Sequence, residues 1–152
     1  MRFRILPQQI DNTYKGQKLA LWLFGFVLLI KIVQSTVILI NGGSVVKGAD
    51  GIPLDTFSPD AAHTVVALFA LTSLYRLIIC LLGVIALVRY RGIITLMFAV
   101  LVIEYIVRQL ILYFYPLGSI GAPPGPIVNF VLFLISVIGF ALSLLNRRDI
   151  QD

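Results

Sequence analysis

The chain has 152 residues, 59% of them hydrophobic, and a formal net charge of +5. A water-solvated domain of this size keeps too high a surface-to-volume ratio to hide so much apolar surface, so a soluble fold is excluded. The cations lie between long apolar runs rather than together on one face, which argues against a nucleic-acid partner and matches the membrane pattern.

Four apolar runs follow in chain order, at about 19–40, 62–88, 92–114 and 127–145. Each is near or above the roughly 20 residues that cross a hydrocarbon core. The first is longer than the roughly 7–15 apolar residues of a secretory leader. Asn41-Gly42-Gly43-Ser44, which follows it, is a poor cleavage site, so the run reads as an uncleaved first span. Residues 41–60 read as a glycine-rich outer loop. Ser58-Pro59-Asp60 is a start signal for the second span: a capping residue, then proline, then an acid in the first turn. The third span ends at Tyr115-Pro116, where proline cannot continue a helix. The fourth follows a stiff turn at 121–126.

Orientation comes from the loop cations. Arg2, Arg4, Lys15, Lys18, Arg89, Arg91, Arg147 and Arg148 fall on one side of the predicted spans, and Lys47 alone on the other. The short Arg89-Tyr90-Arg91 connection makes spans two and three antiparallel neighbours. The predicted fold is an all-α membrane protein: one domain over 1–152, an up-down-up-down bundle of four transmembrane helices with both termini cytoplasmic. A plasma membrane or bacterial inner membrane fits this asymmetry. Phe57, Tyr113, Phe114 and Tyr115 fall at the outer interface, and Tyr14, Trp22 and Tyr90 at the inner one, as aromatic anchors do.

Four charged residues interrupt the apolar runs: Lys31, Arg76, Glu104 and Arg108. Each costs roughly 2.5–3.5 kcal/mol at the bilayer centre on insertion scales, so none is expected to face lipid tails. Lys31 is thirteen residues beyond Lys18, Arg76 thirteen before Arg89, and Glu104 thirteen beyond Arg91. At a rise of 1.5 Å per residue all three fall about 20 Å from the inner boundary, in one layer. Arg108 is one turn further out, level with Asn129.

Neighbouring residues extend the polar seams. Lys31, Gln34 and Ser35 share a face, as do Ser73, Arg76, Cys80 and Gly83. Glu104 and Arg108 stand i, i+4 with the acid first, the favourable order for a helical ion pair. In one reading the seams only glue helices together, with Glu104 neutralising the arginines and Lys31 snorkelling outward. In the other, three cations against one carboxylate attract an anion into a pocket that opens outward. Lys31, Gln34, Arg76, Glu104, Arg108 and Asn129 are then the ligand-binding residues.

The remaining signals are weak. His63 lacks companions for a metal site. The turn at 50–55 has two acids but not the ligand spacing of a calcium loop. Cys80, the single cysteine, reads as a packing residue. No nucleophile stands beside a histidine base and no acidic pair offers acid–base chemistry, so catalysis is not expected, and no cofactor is implied. The expected function is that of a non-enzymatic membrane component, an accessory or assembly subunit or a lipid-associated binding protein. Its expected partners are membrane lipids and a membrane-protein partner or further copies of itself. The alternative is a small oligomeric transporter or channel with an anion-attracting path.

Overall fold

A computed structural model describes residue 14 and residues 16–145. Helix α1 spans Lys18–Gly48, α2 Pro59–Arg89, α3 Ile94–Phe114 and α4 Pro124–Leu144. All four are long and apolar enough to cross a membrane, the mark of a membrane protein, and the described residues contain no strand. Arg2, Arg4, Lys15, Arg147 and Arg148, which enter the orientation argument, lie outside the described residues.

The helix boundaries follow from capping chemistry. The Ser58 hydroxyl accepts the Ala61 N–H at 3.4 Å, and Pro59 occupies the first helical position, where its missing N–H costs nothing. For the same reason Pro124 and Pro126 are built into the first turn of α4 rather than preceding it, so this helix starts earlier than its apolar run. Helix α1 departs further from expectation. It continues through Gly48, so the first eight residues of the expected outer loop are helical. Only Asn41 leaves helical geometry (φ −134°, ψ 48°), and it kinks the helix ahead of two glycines. The piece beyond the kink is held by burial of Val46, which is fully enclosed.

The chain is inside out by the standard of soluble proteins. Helix α2 buries its small residues Ser73, Cys80, Gly83 and Ala86, and turns Leu71, Leu74, Ile78, Leu82 and Ile85 outward. Such a surface is stable only against hydrocarbon, where helices associate through close packing of small residues rather than by hiding apolar ones. Gly83 gives room to Leu28 of α1: a Cβ there would lie 2.8 Å from Leu28 Cδ2. Gly139 of α4 does the same for Phe98 of α3, whose ring meets Phe24 of α1 edge to face at 5.0 Å.

Helix α2 therefore rests on α1, while α3 is drawn to α4 by Phe98 on Gly139 and by Tyr105 stacked on Phe133 at 4.4 Å. Helices α2 and α3 pack little against each other, although the short turn joining them led us to expect close neighbours. The turn holds only one end together, and the aromatic contacts pull α3 the other way. Just before α1, at the same end as this turn, the Tyr14 hydroxyl is buried without a partner, and burial pushes its pKa up to about 12.

The fit at Gly139 generates a prediction. A Cβ there would sit 2.3 Å from Phe98 Cζ, whereas one at Gly43 would meet nothing within 4 Å. Gly139→Ala should destabilise the purified protein by about 1–3 kcal/mol through overpacking. Gly43→Ala should stabilise it by about 0.5–1 kcal/mol through helix propensity. Thermal unfolding in detergent measures both.

Candidate functional site

Lys31 is buried on α1, 7% exposed, and its ammonium donates to Glu104 Oε2 of α3 at 3.1 Å. This pair corrects two expectations at once. Lys31 does not snorkel outward, and Glu104 pairs across the bundle rather than with Arg108 on its own helix. The cause is geometric: α1 and α3 meet at Phe24 and Phe98, two turns below, and the same faces bring residues 31 and 104 together.

The remaining cations are less well served. Arg76 on α2 lies within electrostatic reach of Arg108, Glu104 and Asp50, yet its Nε is buried without a hydrogen-bond partner. Gln34 Oε1 and Ser35 Oγ on α1 are also buried and unpartnered. Unmet buried polar groups are costly, about 1–3 kcal/mol each.

Arg108 and Asn129, expected at one level, line a single pocket of about 190 Å³ with Asp50, Tyr105, Gln109 and Ser119. The pocket lies where α3, α4 and the loops after α1 and α3 meet, with Leu112, Pro116, Leu117 and Pro126 as its apolar wall. Of the six expected site residues, Lys31 and Glu104 thus form an ion pair, Gln34 and Arg76 carry buried unpartnered atoms, and Arg108 and Asn129 face the pocket.

Asp50 is the residue that sequence reasoning missed; it reads there only as one of two acids in a loop turn. Backbone hydrogen bonds carry it to the pocket. Gly51, at φ +69°, turns the chain so that its carbonyl accepts the Ile120 N–H at 2.8 Å. The Ala49 carbonyl accepts the Gly125 N–H at 2.9 Å, and Ile52, 5% exposed, anchors the turn. The signal was present in the sequence as an acid beside a glycine followed by a hydrophobic residue and proline. Tyr105 and Gln109, on the same face of α3 as Arg108, had the signal of helical spacing.

The ion pairs among the described residues are Lys31–Glu104 and Lys47–Asp55. Asp50 and Arg108 therefore share a pocket wall without closing on each other. Burial raises the Asp50 carboxyl above its ordinary pKa, while the charges of Arg108 and Arg76 pull it back. Asp50 also reduces the charge imbalance read from the spans alone, to three cations against two carboxylates.

Two predictions follow from this geometry. The Lys31 side chain is 8% exposed and that of Glu104 28%. Glu104→Gln, which strands the more buried charge, should therefore cost about 3–5 kcal/mol. Lys31→Met should cost less, and Lys31→Met with Glu104→Leu should recover most of the loss, as read from unfolding in detergent. For Asp50, a carboxyl whose pKa is raised by folding stabilises most below its ordinary value and loses that contribution as pH rises through the folded value. Asp50→Asn should hence raise the melting temperature near neutral pH, and the gain should shrink towards about pH 4. A gain that grows on acidification would contradict it.

Compared with known proteins, the chain matches no protein-family model, no curated protein and no solved structure.

Proposed function

We propose that this chain is a non-enzymatic, lipid-associated binding protein of the plasma membrane or bacterial inner membrane. In this proposal its helices run up-down-up-down, with both termini cytoplasmic. The excess of Lys and Arg at the Lys18 and Arg89–Arg91 end of the helices supports that orientation, with Lys47 at the other end. The Arg108 pocket then opens near the outer face, and the Lys31–Glu104 pair lies within the bilayer.

The observation that carries the proposal is the placement of Arg108. It lines a pocket with the polar side chains Gln109, Ser119 and Asn129, while Glu104, the acid one turn away on its own helix, is taken by Lys31. Arginine keeps its charge even when desolvated, and its donor fork suits phosphate. A head-group phosphate supplied from the membrane would occupy those donors.

Purification in mild detergent, with mass spectrometry of what stays bound, tests the proposal. The wild-type protein should retain a stoichiometric phospholipid, and Arg108→Gln should bind it about tenfold more weakly or worse. Equal retention by both proteins would remove the pocket from the function. A stoichiometric membrane protein in place of the lipid would point instead to an accessory subunit.

A further inference from the structure

An anion-binding pocket has no use for a carboxylate, yet Asp50 lines this one. Its presence is built, not incidental. One hydrogen bond to the loop after α3, one to the first turn of α4 and the turn at Gly51 hold it there, and its Oδ1 lies 3.1 Å from where a Cβ on Gly125 would stand. The start of α4 offers it little compensation. Pro124 and Pro126 have no N–H, and the Gly125 N–H is given to the Ala49 carbonyl. Arg108 stands in the same pocket and the two do not form an ion pair, although nothing would satisfy both charges more simply.

Opposite charges that line one small pocket without pairing are complementary to a ligand that carries both. We propose that the pocket receives an ammonium–phosphate zwitterion, with the phosphate on Arg108 and the ammonium on Asp50, as in the head group of an aminophospholipid. A volume of about 190 Å³ is below that of most drug-sized ligand sites and suits a head group whose chains remain outside. Leu112, Leu117 and Pro126 in the pocket lining offer those chains an apolar surface. The phosphate gains the charge-assisted bonds that arginine makes best, and the ammonium donates to a carboxylate that has no ion-pair partner among the described residues. The inference rests on the proposed lipid-binding function and adds the chemical class of the ligand.

The full chain in detergent, titrated with short-chain lipids and followed by thermal shift, distinguishes the cases. Phosphatidylethanolamine should bind about tenfold or more tightly than phosphatidylglycerol, the margin expected of one charged hydrogen bond. Phosphatidylcholine, whose methylated ammonium has no N–H to donate, should fall below phosphatidylethanolamine. Asp50→Asn should bring the ethanolamine and glycerol lipids to within about twofold of each other, and Arg108→Gln should weaken both. Arg108→Lys, which keeps the charge, should retain part of the affinity and serves as the folded control. Soluble phosphoethanolamine identifies the source: weak competition supports a lipid, and equal affinity supports a free zwitterion with the same chemistry. If phosphatidylglycerol binds as tightly as phosphatidylethanolamine to the wild type and needs Arg108, the zwitterion is overturned while lipid binding stands. If no lipid depends on Arg108, both fall.

Discussion

In a bundle whose outer surface is almost wholly apolar, every charge in the helices needs a partner inside. The ion pair between Lys31 and Glu104 fixes how this requirement is met. It consumes the one carboxylate borne by the apolar runs and spends it on the most deeply buried cation. Arg76 and Arg108 are left to other sources of compensation. Asp50 supplies part of it from the loop after α1, at a distance, and the polar groups of Gln109, Ser119 and Asn129 gather around what remains. The pocket is thus a consequence of where Glu104 points. Had Glu104 turned along its own helix to Arg108, the pocket would hold a neutralised pair and little reason to bind anything.

Packing makes that choice. Phe98 reaches across to Phe24 and into the space left by Gly139, which brings the same face of α3 against α1 and directs Glu104 to Lys31. Tyr105 stacks on Phe133 and holds α3 to α4, so α2 and α3 remain loosely associated beyond their connecting turn. Small residues, close aromatic contacts and one buried ion pair are the devices that hold helices together where the hydrophobic effect offers no preference between lipid and protein. Here they also determine which charges stay available.

Much of this was legible in the sequence. Four apolar runs gave four helices, because length and composition leave few alternatives in a bilayer. Ser58 and the proline after Tyr115 marked boundaries by their own chemistry, whereas the prolines at 124 and 126, read as a turn, fall in the first turn of α4. Counting residues from the flanking cations put Lys31 and Glu104 at one depth, and they are in contact. Depth is one coordinate, however, and rotation about each helix axis is another. Periodicity allowed Glu104 both a partner on its own helix and one across the bundle, and only packing of the aromatic side chains separates the two. The loop after α1 was harder still. Its glycines favour many conformations, and the path of Asp50 depends on hydrogen bonds to residues 120 and 125, some seventy positions away.

The central claim is that Arg108 meets a lipid phosphate. Solid-state NMR on the full chain in bilayers, measuring dipolar contacts between ³¹P of the lipid and ¹⁵N of the arginine side chains, tests it without a substitution. A persistent contact assigned to Arg108, distinct from the transient ones expected of Arg89 and Arg91 at the membrane surface, is the predicted result. Phosphorus contacts confined to those surface arginines would contradict it.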